Sequence, residues 1–382
     1  MTPSESLLER YFTDVAADSG KSSNAFGVLR QYYDHSGFAD YRQSFAPAHQ
    51  VIVDTQPYPA RDTLSCTAVS TTYPTCISDA QIKSEVQRLI TADRLPTAGK
   101  PPKLSAHTPI YFVVLPANVK FCMVLATQCT DTNLNAYHLS FLTHGDAVLY
   151  AAIAMDPLQG VALPAPISGA CDPGGTGVAQ EPNNDPGDCA INSISHEDSE
   201  AITDPIGTGW DIAVTHWETG DACAHVGAFD PTHTTNPNAF LPTLGGSASG
   251  GTLYTQVING DRYYTQSEWS NGDGNCEMRP TAGRTVPRFD VRGQTIAGMP
   301  VFFDAAAGRT METLSSATWS FGDRSKPVFF YGHHTLERVE HRYRKGGRYT
   351  VTLTLVDSRG NLHTATQHVT IHSRQRVASA TG

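Results

Sequence analysis

Tyr349-Thr-Val-Thr-Leu-Thr-Leu-Val356 divides the chain. Apolar residues alternate with threonine at period two, and β-branched side chains predominate, which predicts a half-buried strand with one face in a core. Outward from it the texture differs from everything before Arg279. Cysteine is absent, and from Gly283 onward 14 Lys/Arg stand against 7 Asp/Glu, whereas the preceding 282 residues hold 13 against 30. For 382 residues this predicts an acidic domain over residues 1–282, a β-sandwich over 283–373 and a flexible tail over 374–382. A chain of this length buries a core without covalent staples. Only 17% of residues are charged, against 32 Gly and 24 Pro, a balance that suits a loop-rich extracellular protein. The longest apolar runs, Ile110–Pro116 and Ala147–Met155, fall short of the roughly 18 residues needed to span a bilayer. An integral membrane protein, a long coiled coil and a wholly disordered chain are excluded.

The acidic part reads as mixed α and β, an α+β domain with a zincin-like arrangement as one form of it. Leu7, Leu8, Tyr11, Phe12 and Val15 recur at helical spacing, ending near Ser19-Gly20. Ser78 and Gln81 form a capping box that opens a second helix with the stripe Ile82, Val86, Leu89 and Ile90. A third helix is predicted from about Ala190 to Thr203, stopped by Pro205. Gln50–Asp54, Ile110–Leu115 and Ala147–Ala154 read as strands. Gly245–Gly251 is a flexible loop without the ending of a phosphate-binding motif, and Tyr263, Tyr264 and Trp269 read as strand core before they read as a sugar groove. Eight cysteines without CxxC spacing point to disulfides in an oxidising compartment; sequential pairing, 66–76, 122–129, 171–189 and 223–276, is the simplest of about 105 connectivities. The expected location is therefore extracellular, although Met1-Thr-Pro-Ser runs into a helical pattern with no signal peptide ahead of it.

In the C-terminal part Trp319-Ser-Phe-Gly-Asp323, His341-Arg-Tyr343, Gly347-Arg-Tyr349 and Asp357-Ser-Arg-Gly360 follow one another. Over about Val286–Ile371 these landmarks resemble a PKD domain, a small immunoglobulin-like β-sandwich. The resemblance makes Trp319 and Tyr349 core residues and the module a spacer or binding appendage of secreted hydrolases and surface-layer proteins, without chemistry of its own. Where the family carries glycine after the aspartate, this chain has Arg324.

No Lys or Arg lies between Lys120 and Arg262, a stretch with 16 carboxylates and six histidines. Phosphate contacts need basic side chains, so nucleic acid is not a partner of this part. The carboxylates are neutralised by solvent, by protons or by a bound cation. Within the stretch stands Ser195-His196-Glu197-Asp198-Ser199-Glu200-Ala201-Ile202-Thr203-Asp204-Pro205. On a helix His196 and Glu200 share one face, Asp204 extends it and Glu197 sits about 100° away. The pair could chelate one divalent metal, zinc ahead of calcium, with Glu197 placed where HExxH peptidases put the base that activates water. The sequence is HExxE, not HExxH, so a carboxylate replaces the second imidazole. Glu218 is the leading third ligand with Asp221 behind it; His216, His225 and His138 are further candidates. The competing reading is an acidic amphipathic helix facing water.

His196-Glu197, Glu200 and Thr203-Asp204-Pro205 also resemble a motif of secreted bacterial proteins distantly similar to the plant EXORDIUM (phosphate-induced) family. Phe12–Ala16, Cys129 with Tyr137-His138, Gly220–Cys223, Tyr254–Gln256, and Ile258–Gly260 through Glu268–Asn271 to Cys276 fit the same group. Members carry a signal peptide and an extra strand before the first helix, and plant members lack an acid at the position of Glu200. The resemblance implies an exported protein of the wall or medium. Two functions follow from these readings. One is a secreted, monomeric metal-dependent hydrolase acting on a protein, peptide or cell-wall polymer, above all a peptidase. The other is a non-catalytic wall or matrix protein whose acids bind calcium or confer solubility.

Overall fold

The computed structural model describes residues 2–21, 23–34, 37–39, 41–101, 103–104, 107–123, 127–132, 134–155, 171, 178–211, 217–224, 244–270, 275–279, 287–305, 314–331, 338–357 and 362–373. It divides into two compact units, one of residues 1–29, 40–270 and 276–279, the other of residues 30–39, 271–275 and 280–382. The expected tail at 374–382 lies outside the described residues, as does most of the loop expected between Pro157 and Asp188.

The first unit is mixed helix and strand. Helix α1 (Pro3–Ala17) opens with a closed capping box: the Glu5 amide donates to the Thr2 hydroxyl, and the Thr2 amide to the Glu5 carboxylate. Strand β1 (Thr75–Ser78) leads into α2 (Asp79–Asp93), where the Ser78 amide donates to Gln81 Oε1 at 3.0 Å. Next come β2 (Ile110–Leu115), β3 (Val119–Cys122), β4 (Ala136–Thr143) and β5 (Asp146–Ala154). β3 pairs in parallel with β1; β5 lies between β2, to which it is parallel, and β4, to which it is antiparallel. Buried along nearly its whole length, β5 reads as a continuous apolar run, as a central strand covered on both faces should. Ile82, Val86 and Ile90 of α2 pack with Tyr137, Val148, Tyr150 and Ala152 on one face. Helix α3 (Gly187–Thr203) packs against β4 and β5.

The β4–β5 turn fixes which side chains reach α3. His144 and Gly145 both take positive φ, 51° and 88°, the two-residue hairpin geometry that glycine makes cheap. This turn pairs Thr143 with Asp146, and hence Tyr137 with Ala152 and His138 with Ala151. Period two then sends Tyr137 toward α2 and His138 to the opposite side.

All four sequential disulfides are present, Cys66–Cys76, Cys122–Cys129, Cys171–Cys189 and Cys223–Cys276. One expected strand is not. Pro47–Gln50 forms a single helical turn and Val51–Asp54 has no ladder partner among the described residues; Val53 is 65% exposed. An apolar run makes a strand only where another edge receives its backbone groups.

In the second unit two sheets enclose one core. Asp290–Gly293, Val301–Asp304 and Val339–His341 form the first; Val328–Tyr331, Leu314–Ser320, Gly347–Asp357 and Leu362–Ile371 form the second in that spatial order. Val351, Leu353 and Leu355 point inward, as the alternation predicts. Trp319 is fully buried against Phe289 and Phe303, with ring centroids 5.1 and 5.7 Å away. Tyr349 sits at the margin instead, half-buried, stacked on Tyr343, its hydroxyl donating to the Lys345 carbonyl.

Arg324 shows the effect of losing glycine after Asp323. Its φ is +66°, in the left-handed region that costs a side chain about 1–2 kcal/mol. Arg324→Gly should therefore stabilise the second unit by about 0.5–1 kcal/mol after the greater entropy of an unfolded glycine is set against it. Chemical denaturation should show a higher midpoint at unchanged slope; a lower midpoint would contradict this account.

Candidate functional site: two imidazoles on a buried acidic helix

Helix α3 is buried on nearly every side and polar along its length. Glu197, Asp198 and Glu200 are 2%, 5% and 3% exposed, so this is not an acidic face turned to water. The Cys171–Cys189 bridge ties down its first turn, and its last turn ends at Asp204, whose carboxylate accepts the Thr208 and Gly209 amides.

His196 and Glu200 project together, as their spacing requires, with Nε2 to Oε2 at 3.2 Å. Helix α4 (Thr219–Ala224), anchored by Cys223–Cys276, brings Asp221 Oδ1 to 3.7 Å from the same Nε2, and its Asp221 amide donates to Glu200 Oε1 at 2.8 Å. A Cβ on Gly220 would stand 2.7 Å from His196 Nδ1, so only glycine admits this approach. His196, Glu200 and Asp221 present ligand atoms that all lie within 4.8 Å of one another.

A second such group shares Glu200 and consists of His138, Glu200 and Glu218. His138 Nδ1 is 3.2 Å from Glu197 Oε2 and 3.6 Å from Glu200 Oε2; its Nε2 is 3.7 Å from Glu218 Oε1 and 3.2 Å from the Asp204 carbonyl. Glu218 is thus grouped with His138, and Asp221 with His196. Glu197 spans the two, its Oε1 3.9 Å from His196 Nε2. His216 and His225 lie outside the described residues. A third described group, Cys66, Cys76 and Cys122, consists of disulfide sulfurs and cannot serve as thiolate ligands.

The far side of each ring matters as much. Gln266 donates its amide N–H to the Gly220 carbonyl, which turns its Oε1 toward His196 Nδ1 at 3.1 Å. Nδ1 therefore carries a hydrogen, and Nε2 is the nitrogen turned to Glu200 and Asp221. This is the arrangement of a metal-binding histidine, whose other nitrogen donates to a carbonyl.

Electrostatics follow from burial and crowding. Burial, then the Glu200 charge, pushes Glu218 up to about 9 and Asp221 up to about 7. Burial also opposes a charged Glu200, but the His196 charge and the His138 hydrogen bond outweigh it and hold its pKa well below the ordinary value. For both histidines burial disfavours the cation, yet the surrounding carboxylates outweigh it and raise each pKa well above the histidine range. Sequence reading did not single out Glu268. It is fully buried, and burial, with the Glu200 charge, outweighs the nearby His196 charge and the Thr219 and Ser199 hydroxyls and raises its pKa well above the usual range. Beside this cluster a cavity of about 410 Å³ is lined by His138, Ser140, Asp204, Ile206, Asp211 and Glu218.

The second unit belongs to the class of immunoglobulin-like β-sandwiches. More particularly, residues 286–371 match the PKD domain family and form a PKD domain, of a kind typical of extracellular proteins. Similar solved structures are the PKD1 domain of the Vibrio cholerae metalloprotease PrtV (23% identity, 24% of this chain and 99% of that one, TM-score 0.20) and the PKD1 domain of Vibrio anguillarum Epp (21%, 25% and 100%, 0.21). The PKD domain of an M14-like peptidase from a Thermoplasmatales archaeon is another (16%, 24% and 99%, 0.19). No curated protein matches the chain. These matches do not bear on the EXORDIUM-like resemblance of Leu7–Cys276. No described helix is long and apolar enough to cross a membrane.

Asp198, on α3 but held by the Gln43 amide at 2.7 Å, has its pKa raised to about 7 by burial. A raised carboxyl pKa contributes stability that is complete below its unfolded value near 3.8 and is lost as pH rises through about 7. Asp198→Asn, neutral at every pH, should gain on the wild type between pH 4 and pH 8, by on the order of 2–4 kcal/mol at the upper end. Melting curves of the two proteins across that range check it; a constant difference would refute the assignment.

Proposed function

We propose that the first unit is a secreted metal-dependent hydrolase acting on peptide bonds, with His196, Glu200 and Asp221 as metal ligands and Glu197 as general base. The observation that carries the reading is the compact group of His196, Glu200 and Asp221, whose ligand atoms lie within 4.8 Å of one another while Gln266 holds the far nitrogen of His196. A divalent cation would take the place of the proton that Nε2 otherwise shares with these carboxylates. An imidazole with two carboxylates suits zinc, whereas calcium prefers an all-oxygen shell. The zincin-like element in this reading is α3 alone, with ligands one turn apart and the base beside the first of them.

A bound zinc ion would polarise the scissile carbonyl and make water acidic enough to lose a proton near neutral pH. Glu197, reaching toward both imidazoles, is placed to accept that proton as the water oxygen bonds to the carbonyl carbon. It then returns the proton to the leaving amine as the C–N bond breaks. His138 donates from Nε2 to the Asp204 carbonyl and keeps Glu197 in place. The neighbouring cavity would take the peptide, and the PKD domain would hold the enzyme to a protein or cell-wall polymer. One chain supplies every group, so the chemistry needs no second copy. An exported wall protein, as the EXORDIUM-like resemblance implies, fits this setting.

Glu197→Gln keeps the shape of the base and removes its basicity. Turnover on a peptide library should fall at least 100-fold while zinc content by elemental mass spectrometry stays unchanged. Retained turnover would remove Glu197 from the mechanism. Calcium instead of zinc, with no turnover in the wild type, would favour the matrix-protein reading.

A further inference from the structure

We infer that the open edge of strand β4 is the docking site of the substrate, an extended peptide that joins β4 as an added strand and lays a lysine or arginine side chain in the adjoining acidic cavity. The inference rests on the hydrolase reading above and names the class of peptide that its site would take.

β4 ends its sheet: β5 pairs with it on one side, and among the described residues no strand pairs with it on the other. The two-residue turn decides which backbone groups stay unpaired. It makes Thr143 and Asp146 exchange both hydrogen bonds, and the antiparallel ladder then alternates, so Tyr137, Leu139 and Phe141 bond to β5. The Ala154 amide, donating to the Asn135 carbonyl at 3.2 Å, keeps the same parity at the far end. His138, Ser140 and Leu142 therefore turn their N–H and C=O groups to the open edge. Such edges are ordinarily guarded by lysine, proline or a bulge. Over its 8 residues β4 has none of these; its register with β5 is unbroken, and Leu139 and Leu142 are 36% and 65% exposed. An edge of this kind is a template for another strand.

The chemistry of the added strand follows from what lies alongside. Leu139 and Ser140 also line the cavity of about 410 Å³, together with Asp204, Asp211 and Glu218, and no Lys or Arg lines it. A carboxyl group accepts a hydrogen bond in either protonation state, so an ammonium or guanidinium finds acceptors there. A substrate carboxylate would meet like charge instead. Pro205 and Ile206 give the methylene stem of a long cationic side chain an apolar wall. A second copy pairing edge to edge would offer the cavity no such cation, since β4 carries neither Lys nor Arg. The place also suits the reaction. His138, whose backbone faces the edge, reaches Glu197 Oε2 with its side chain at 3.2 Å. A peptide strand about 4.8 Å from β4 is thereby brought to the neighbourhood of the proposed base.

The test is peptide binding by the whole chain, in its Glu197→Gln form so that the probe is not consumed, read by fluorescence anisotropy. The probes are labelled alanine hexapeptides in which a single lysine, or a single glutamate, moves through the frame. The best lysine peptide should bind roughly tenfold or more tightly than its glutamate counterpart. Ser140→Pro removes an amide hydrogen that points away from β5, and should weaken that binding roughly tenfold or more. Equal affinity for the two peptides, or none for either, overturns the inference, as does unchanged affinity in a folded Ser140→Pro protein. A wild type that is dimeric by light scattering, and that Ser140→Pro makes monomeric, also overturns it, because a second copy then covers the edge. Should Ser140→Pro fail to fold, N-methylation of alternate amides of the peptide replaces it. One alternation should lose binding and the other keep it; equal loss counts against strand pairing. Lysine-selective binding with no turnover in the wild type leaves this site standing and removes the hydrolase, whereas turnover without such binding leaves the hydrolase and removes this site.

Discussion

The packing of two imidazoles against desolvated carboxylates is what the first unit is built around. A charge removed from water is costly unless it is paired and hydrogen-bonded, and α3 buries several acids within two turns. A protein gains nothing in stability from such a helix by itself. The surroundings nonetheless hold it: the Gln266–His196 contact, the Asp221 amide on Glu200 and the Asp204 carbonyl on His138 all fix the direction of a polar side chain.

The scaffold supplies these contacts from elements far apart in sequence. Cys171–Cys189 fixes the start of α3, and Cys223–Cys276 holds α4 close enough for Asp221 to reach it. Gly220 removes the one atom that would keep α4 and His196 apart. On the other side the His144–Gly145 turn sets the register that delivers His138. A slip of one residue would send Tyr137 into the carboxylates and His138 into the apolar layer beneath α2.

Local signals in the sequence were legible and long-range ones were not. The PKD landmarks, the three longer helices, the sequential disulfides and the His196–Glu200 spacing are all short-range patterns, and each corresponds to an element of the structure. Gln50–Asp54 misled because β-propensity does not say whether a partner edge exists. β4 went unread because the face that carries His138 also carries Ser140 and Leu142, which blurs the alternation. With β4 missing, His138 looked like one spare histidine among several. Glu268 left no local trace, since its burial depends on packing against α3 and α4. The grouping of Asp221 with His196, and of Glu218 with His138, follows from the three-residue offset between Glu218, just ahead of α4, and Asp221 in its first turn, which separates the two acids by nearly a turn.

The missing basic residues bear on what completes the cluster. Lys120 and Arg262 bracket the stretch that has none, and both are committed elsewhere. Lys120 is fully buried and held by Asp131 at 2.6 Å together with Thr67 and the Ala68 carbonyl; the Arg262 guanidinium lies 4.8 Å over the Tyr254 ring. Neither can neutralise α3. A structural ion-pair network would have placed an arginine there, because its planar fork satisfies two carboxylates at once. Imidazoles are a poor substitute for that purpose, being smaller and cationic only over part of the pH range. They are a good choice where the inner nitrogen must be free to give its lone pair to something else. The composition of this stretch thus suits a cluster that takes its positive charge from solution, as protons on its imidazoles and, in the function proposed above, as a metal ion.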